Sequence, residues 1–245
     1  MTRFVFLIPA YNCKDTINRT LFSMFAQSYD NWRAIIIDDV STDGTEAHIA
    51  KIITRCGFAG KIRVKRREEK FGEVRNTVEE VLNHIDDDEV VVRLDGGDWL
   101  TENDCLTILD KVYHEHSPSV CWTAQRWANT NYNISNALKL KAGETVYDHP
   151  WVSSHLKTFQ ASALKKVNKK NFFDDKGNWI MIACDQAVFL PMMHLAVKEN
   201  LPLVFLPLVC YHYNIDLEKP NIFTEERTIN QKCSAEWIRS RGYIA

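Results

Sequence analysis

The sequence predicts an α/β protein with a mostly parallel central sheet and helices on both of its faces. The first apolar segment, Phe4–Ile8, has no polar residue and is ended by Pro9. A continuous apolar run is typical of a strand that is buried on both faces. Further apolar segments alternate with amphipathic ones through short loops, as in a sheet covered by helices. Polar side chains follow directly after the strands, where open α/β sheets bind ligands.

The first half of the chain is predicted to alternate four strands with three helices. The strands are Phe4–Ile8, Trp32–Ile37, Lys61–Lys65 and Val90–Leu94. The helices run from a cap at Asp15 or Thr16 to about Gln27, from Asp43 or Thr45 to Thr54, and over Gly72–Asn83. Thr and Asp are favoured at helix starts because their side chains accept hydrogen bonds from the first free N–H groups.

The second half of the chain is less regular. The stretch Gln125–Val146 has many Asn and few apolar residues, which indicates loops. Helices are predicted over Leu106–Tyr113, from Ala183-Cys184-Asp185-Gln186 to about Ala196, and over Glu225–Arg241. Short strands are predicted at Val120–Thr123, Leu203–Leu206 and Cys210–Tyr213. We expect the halves, residues 1–115 and 116–245, to form one continuous domain.

Composition and charge are those of an ordinary globular protein, with 45% hydrophobic residues, 25% charged residues and a net charge of -2. Two segments are locally basic. Lys51–Arg75 contains nine Lys or Arg against three Glu, and Lys157–Lys170 contains five Lys and no acid. Such runs are usually solvated faces. They would also suit an anionic partner.

The cysteines and apolar stretches indicate a cytoplasmic protein without stable membrane insertion. The seven cysteines are scattered and form no Cys-x-x-Cys, which favours reduced thiols over a disulfide framework or a zinc site. No signal peptide is visible. The longest apolar stretches, such as Leu201–Cys210, are interrupted by Pro and too short to span a bilayer.

A candidate metal site follows the fourth predicted strand, in Asp95-Gly96-Gly97-Asp98. The glycines allow a sharp turn and a close approach of the backbone to a ligand. Two carboxylates and little bulk suit Mg²⁺ or Mn²⁺ bridged to a diphosphate, because hard cations take oxygen ligands. The alternative is an ordinary polar turn. After the second strand, the adjacent acids Asp38 and Asp39 could accept from a ribose diol or a base N–H, or cap a helix.

Four motifs, in order and at consistent spacing, resemble those of family 2 glycosyltransferases with the GT-A fold. They are Pro9-Ala10-Tyr11-Asn12, Ile36-Ile37-Asp38-Asp39 with Ser41-Thr42-Asp43-Gly44-Thr45, Gly72 with Arg75-Asn76, and Leu94-Asp95-Gly96-Gly97-Asp98. The resemblance implies a Rossmann-like sheet and a nucleotide-diphosphate sugar donor. It implies that the first motifs bind the nucleotide, with roles for Tyr11 and Asp39, and that the aspartate motif holds a metal on the diphosphate.

One departure from the family pattern concerns the metal. The family motif usually has an acid where this chain has Gly97, and a glycine has no side-chain ligand. The metal must then rely on Asp98, on Asp95 or on water, and we favour Asp98 with Asp95 near the ribose. In many family members a His late in the chain reaches the metal. His212 is the candidate, although strand alternation could equally place it against the sheet.

The resemblance also suggests a general base. In the family it is a carboxylate at a helix start in the second half, usually within a Glu-Asp pair. Asp185 matches it, and Cys184 replaces the preceding acid. Asp185 could instead only offset the helix dipole. His155 is interpreted either as a structural hydrogen bonder or as a group that faces the donor phosphates or the acceptor.

These residues predict an inverting, metal-dependent transfer of sugar, most simply from a UDP-sugar, to an acceptor hydroxyl. The basic runs favour an anionic acceptor, and the resemblance, which extends to phage members of the family, implies a hydroxymethylated base in phage DNA as one such acceptor. The alternatives are a surface glycan, a protein or a small molecule. A catalytically degenerate nucleotide-sugar-binding module is the non-enzyme alternative, because Gly97 removes an acid. A hydrolase with a pair of catalytic acids is disfavoured, since the sequence offers only one candidate carboxylate, Asp185, outside the donor site.

Overall fold

A single mixed sheet of eight strands forms the centre of the molecule, in the order β3-β2-β1-β4-β7-β6-β8-β5. The computed structural model describes residues 1–127, 130–214 and 224–245. The strands are β1 Arg3–Ala10, β2 Trp32–Asp38, β3 Ile62–Arg66, β4 Glu89–Arg93, β5 Trp99–Leu100, β6 Val120–Trp127, β7 Lys157–Gln160 and β8 Leu203–Tyr213. The first four are mutually parallel, as predicted, and β7 runs antiparallel to both β4 and β6.

Seven α-helices accompany these strands in the described part of the chain. They are α1 Ile17–Phe25, α2 Thr45–Arg55, α3 Gly72–His84, α4 Cys105–His116, α5 Ala161–Lys165, α6 Cys184–Lys198 and α7 Glu225–Arg241. A short 3-10 helix covers Lys169–Phe172. No helix among these residues is both long enough and apolar enough to cross a bilayer.

Each face of the sheet carries its own core, which confirms the prediction of helices on both sides. Alternate residues of β1 point to opposite faces, because side chains alternate along a strand. Val5 and Leu7 pack with α3 and α6, whereas Phe6 and Ile8 pack with α1, α2 and α4. All four side chains have no measurable exposure. The continuous apolar run in β1 therefore reflects burial from two directions.

The second half of the fold departs from the predicted elements. Strand β7 and helix α5 were not predicted, and the two late strands are one strand, β8, with an irregular register against β6 near Thr123 and Ala124. The stretch after β6 is irregular, as expected from its Asn-rich composition. Strand β7 lies between β4 and β6, so it joins the two halves of the chain in one sheet.

A buried ion-pair cluster braces the loop between β3 and α3. The Glu80 carboxylate is fully buried, and its Oε1 accepts hydrogen bonds from Lys65 Nζ at 2.5 Å and from Arg67 Nη2 at 2.9 Å. Arg67 also donates through Nε to Asn76 Oδ1 at 2.7 Å. The cluster therefore ties the end of β3 to the first turns of α3, which flank the ligand edge of the sheet.

We predict that Glu80→Ala destabilises the fold by about 3–5 kcal/mol, because it leaves the buried Arg67 guanidinium without its closest carboxylate. The matched control is Glu199→Ala, which breaks an exposed pair with Lys166 and should cost no more than about 1 kcal/mol. Urea denaturation of the variants measures both losses. Equal losses would show that the Glu80 cluster contributes no more than a surface pair.

Candidate active site

A cleft of about 1100 Å³ opens at the ends of β1 and β2 and beside the starts of α3 and α6. Nine of the residues predicted for the site line it. They are Pro9, Ala10, Tyr11, Asp39, Gly72, Asn76, Asp95, His155 and Asp185. These residues come from six separate segments, so the fold brings together most of the predicted site.

Asp39 fixes the backbone on one side of the cleft. Its Oδ1 accepts from Phe71 N at 2.9 Å, and its Oδ2 accepts from Gly72 N at 3.0 Å. An ionised carboxylate has about four acceptor positions, so two remain for a ligand. Asn76 is 1% exposed, and its Nδ2 has no hydrogen-bond acceptor among the described residues. This amide is therefore an unused donor at the edge of the cleft.

Three other residues predicted to bind the nucleotide-sugar donor lie outside the cleft, where they stabilise the loops next to Asp39. Asp38 is fully buried, and its Oδ2 accepts from Arg66 Nη1 at 2.8 Å. Asn12 Oδ1 accepts from the backbone N of Thr42 at 2.8 Å. Arg75 donates to Glu79 at 2.8 Å, on the surface of α3. These contacts shape the loops around the cleft without facing it.

The loop after β4 is held tightly by its neighbours. Gly96 N donates to Pro9 O at 3.0 Å, and a Cβ at Gly96 would lie 2.8 Å from that oxygen. Gly97 has a φ of +115°, and a Cβ there would lie 2.9 Å from Thr16 Oγ1. Glycine is required at both positions by the neighbouring protein atoms.

Asp95 and Asp98 occupy different environments. Asp98 is 7% exposed; its Oδ2 accepts from Tyr211 Oη at 2.6 Å and its Oδ1 accepts from the backbone N of Asn214 at 2.8 Å. The side chain of Asp95 is 33% exposed and borders the cleft. Of the two acids in the motif, Asp95 is the one that a ligand in the cleft can reach.

The third predicted metal ligand, His212, lies apart from Asp95. Tyr211 and Tyr213 on β8 turn towards His155, whose ring centroid is 4.6 Å from that of Tyr211. His212 stacks instead on Trp99, with ring centroids 4.6 Å apart. Strand alternation directs its side chain to the other face of β8, and His212 is not among the residues that line the cleft.

Two buried cations sit side by side beneath the cleft. Arg93 on β4 and Lys157 on β7 are direct partners in the antiparallel register, and their side chains are 4% and 0% exposed. Arg93 Nη2 contacts Glu73 at 2.7 Å and Asp95 at 3.2 Å. Lys157 Nζ forms an ion pair with Asp185 in the first turn of α6. Carboxylates from three elements therefore surround the two cations.

The surroundings raise the pKa values of Asp98 and Glu73 and lower those of Asp185 and His155. Burial, with a smaller effect of Asp95, raises the pKa of Asp98 to about 8. Burial raises the pKa of Glu73 to about 7, against the attraction of Arg93. Burial also opposes ionisation of Asp185, but Lys157 and His155 outweigh it and hold that pKa at about 2. Burial and then Lys157 lower the pKa of His155 to about 4, so its ring is neutral at pH 7.

The donor set around Asp95 fits a divalent cation only as a partial site. No three His, Cys, Asp or Glu side chains converge on a point within residues 1–127, 130–214 and 224–245. Mg²⁺, however, is commonly held by one or two carboxylates, with substrate phosphates and water completing its octahedron. Asp95 supplies one such carboxylate beside open space, so the site fits a cation that binds together with a diphosphate.

Sequence reasoning missed Glu73, Arg93, Lys157 and Tyr211 as site residues. Arg93 carried a signal, because a charged residue in an otherwise apolar strand needs a buried partner. The sequence places Lys157 in a basic run that is typical of a solvated face, but its side chain is fully buried and forms an ion pair with Asp185. Glu73 and Tyr211 carried no comparable signal, since their roles depend on contacts between distant segments.

The sequence model described as Glycosyl transferase family 2 matches residues 5–182, most of the chain. The chain therefore belongs to this family of glycosyltransferases, as its motifs predicted. Over 46 residues it is 54% identical to the UDP-Glc:alpha-D-GlcNAc-diphosphoundecaprenol beta-1,3-glucosyltransferase WfaP of Escherichia coli. That match covers 19% of this chain and 18% of the relative, so the chain matches under a fifth of the relative's length.

Two solved structures share the fold. TarS 1-349 of S. aureus, solved in complex with UDP, aligns with a TM-score of 0.63 and 15% identity over 97% of this chain and 65% of that chain. Mannosyltransferase PcManGT from Pyrobaculum calidifontis, solved with GDP-Man and Mn²⁺, aligns with a TM-score of 0.67 and 14% identity over 99% of this chain and 65% of that chain. The predicted GT-A fold is confirmed.

We predict that Asp98 makes the stability of the protein depend on pH. Its pKa is about 8 in the folded state and about 3.9 in an unfolded chain. Between these values the folded state holds a proton that the unfolded chain has released, so this contribution falls as pH rises and is lost above about pH 8. Asp98→Asn removes the titration and should flatten the curve.

The measurement is the Tm of both proteins between pH 5 and pH 8.5 in the presence of a chelator. The Tm of the wild type should fall further than that of Asp98→Asn as pH rises. Glu73 shifts in the same direction in both proteins, so its effect cancels in the comparison. Parallel curves would mean that Asp98 is already ionised in the folded protein.

Proposed function

We propose that this family 2 glycosyltransferase moves a sugar from a UDP-sugar to an acceptor hydroxyl, with inversion at the anomeric carbon. The observation that carries the proposal is the single cleft that Asp39, Asn76, Asp95 and Asp185 share. The first two suit a nucleotide, the third suits a diphosphate with its cation, and the last suits an attacking hydroxyl. A degenerate binding module is the alternative, and the ionised Asp185 that borders the cleft favours an enzyme over it.

The nucleobase is proposed to lie between Tyr11 and the loop that Asp39 fixes. Tyr11 is 50% exposed at the mouth of the cleft and offers a ring for stacking. The spare acceptor positions of Asp39 match the N3–H of uracil, and the free Nδ2 of Asn76 matches a uracil carbonyl. A pocket with one acceptor and one donor in these positions favours UDP. The UDP complex of TarS shows that a protein of this fold accommodates that nucleotide.

Asp95 is proposed to hold Mn²⁺ or Mg²⁺ together with the donor diphosphate. Such a cation neutralises negative charge that develops on the leaving diphosphate. Arg93 donates to Asp95 at 3.2 Å and so fixes the carboxylate at the edge of the cleft. We assign this role to Asp95 rather than to Asp98, because both oxygens of Asp98 are engaged by Tyr211 and Asn214. His212 is left out because it stacks on Trp99.

Asp185 is proposed to take the proton of the acceptor hydroxyl as it attacks. It lies in the first turn of α6 and borders the same cleft as Asp95. A base that acts from the side opposite the leaving diphosphate leads to inversion. His155 Nε2 lies 3.9 Å from Asp185 Oδ2, and its neutral ring packs beside the base without competing for the proton. Positioning of donor and acceptor by the cleft supplies much of the rate enhancement.

The acceptor is proposed to be a carbohydrate with an apolar face or attachment. Trp127, Trp151 and Tyr213 line the same cleft as Asp185, and Met181, which lies against Gly72, is 50% exposed. Gln186 Oε1 is buried without a donor among the described residues, so it can accept from a sugar hydroxyl. Apolar walls with a few placed polar groups are usual for ligand pockets. The printed name of WfaP describes a lipid-linked sugar acceptor for that relative.

The DNA acceptor depends on the two basic runs, and seven of their fourteen Lys and Arg side chains form ion pairs within the fold. Lys157 is fully buried against Asp185. Other ion pairs in these runs are Arg66 with Asp38, Lys65 and Arg67 with Glu80, Arg75 with Glu79, Lys165 with Asp87 and Lys166 with Glu199. Phosphate binding depends on cations that are free to replace counterions. We therefore favour a carbohydrate and keep hydroxymethylated DNA as a comparison in the assay.

We predict that metal-dependent binding of UDP requires Asp95 and not Asp98. Asp95→Asn removes the negative charge next to the diphosphate and should weaken UDP binding in Mn²⁺ by about tenfold or more, or about 1.4 kcal/mol. Asp98→Asn is the matched control, because an amide resembles a protonated carboxyl in shape, and its affinity should stay within about threefold. Calorimetry with and without Mn²⁺ measures both. Loss of binding in Asp98→Asn alone would return the metal to that residue.

We predict that Asp185→Asn binds UDP normally and loses about 10²–10⁴-fold in transfer rate, as expected for a general base. Mass spectrometry after incubation with a panel of UDP-sugars measures transfer. The acceptors are alkyl glycosides, free sugars and duplex DNA that contains 5-hydroxymethylcytosine. Transfer within a few-fold of the wild-type rate would place the base elsewhere. Transfer to the duplex alone would restore the DNA hypothesis.

A further inference from the structure

Lys157 is a buried cation with one close counter-ion. Its side chain is fully buried, and its Nζ forms an ion pair with Asp185. The same Nζ lies 4.9 Å from the ring centroid of Phe189 and 5.7 Å from that of Trp151. An ammonium in such surroundings is retained only when its charge is compensated, because an unpaired buried charge costs several kcal/mol. The charge of Lys157 and that of Asp185 therefore depend on each other.

Burial opposes a negative charge on Asp185, whereas its place in the first turn of α6 favours one. The charged and titratable groups that face it come from α3, β4, the segment before β7, β7, α6 and β8. They are Glu73, Arg93, His155, Lys157, Cys184 and Tyr213. Arg93 is already shared by Glu73 and Asp95. Within the described part of the chain, the cation left in contact with Asp185 is Lys157.

We infer that Lys157 is a positioning residue for the proposed base: its ammonium holds the Asp185 carboxylate ionised and oriented towards the acceptor. The inference rests on the proposed function, since it concerns the base of that reaction. Lys157 does not border the cleft, so it acts through Asp185 and not on the substrate. The register of β7 against β4 fixes its place, because Lys157 is opposite Arg93. The low pKa of Asp185, about 2, agrees with this role.

The role predicts a specific change in the pH profile of transfer. In the wild type the acid limb of kcat should lie below about pH 5, because Asp185 stays ionised. In Lys157→Met the carboxylate loses its counter-ion and takes up a proton more readily, so the limb should move up by about one pH unit or more. On the acid limb itself, the rate relative to that at pH 8 then falls about tenfold for each pH unit of this shift, while KM for the donor stays unchanged.

Two further variants separate charge from packing. Lys157→Arg keeps the cation and should keep the wild-type acid limb. Lys165→Met is the matched control, because Lys165 lies on the surface with Asp87 and should leave the profile unchanged. An acid limb of Lys157→Met that superimposes on that of the wild type would overturn the inference. A uniform loss of kcat at every pH would overturn it as well, since that result indicates packing alone.

A stability cycle tests the same pairing without any activity, using Lys157→Met, Asp185→Asn and the double variant. If the two charges compensate each other, Lys157→Met lowers the Tm strongly or unfolds the protein, and adding Asp185→Asn restores much of the loss. If the double variant is as unstable as the sum of the single ones, Lys157 contributes by packing and the inference fails. A protein that transfers no sugar to any acceptor, yet shows the restoration, would refute the proposed function and leave the pairing intact.

Discussion

The neighbouring burial of Arg93 and Lys157 is the constraint on which the site depends. The two residues are directly opposite each other on β4 and β7, and like charges in that position repel. Neither side chain has appreciable access to water. The arrangement is stable only because carboxylates lie between and around the cations. The two cations at the centre of the sheet therefore constrain the positions of three acids of the cleft, which are Glu73, Asp95 and Asp185.

This constraint also gives the acids of the site different environments. Asp95 and Asp185 are each held by a cation that belongs to a central strand, so their positions relative to each other follow from the register of β4 and β7. A buried cation does not alone set the pKa of an acid here, since burial raises that of Glu73 to about 7 although it contacts Arg93. Asp98 has no cation at its oxygens and is held at a pKa of about 8, whereas Asp185 is held at about 2. Environments that push apart the pKa values of similar groups are typical of sites with divided acid and base roles.

Local pattern was sufficient for the first half of the fold. Strands β1, β2 and β4 have apolar runs with clear ends, and the helix over Gly72–His84 was predicted to within a residue. The cleft residues that follow these strands were found for the same reason. Strand β7 was missed because its Lys157 resembles a surface charge, and its burial depends on β4, which lies more than sixty residues earlier in the chain. Which acid of the Asp95–Asp98 loop faces the cleft could not be read either, since a glycine at φ +115° redirects the chain between them.

The same glycine explains why the loop carries no acid at position 97. An acid at position 97 would need a Cβ 2.9 Å from Thr16 Oγ1, so the present loop leaves no room for a second ligand there. Tyr211 instead links the two ends of the loop, because its hydroxyl donates to Asp98 and accepts from the backbone N of Asp95 at 3.4 Å. These hydrogen bonds connect the two ends of the loop, and Arg93 donates to Asp95 at 3.2 Å. A single fixed carboxylate binds a divalent cation weakly by itself, whereas the oxygens of a diphosphate complete its coordination. Cation and donor are therefore expected to enter this site together.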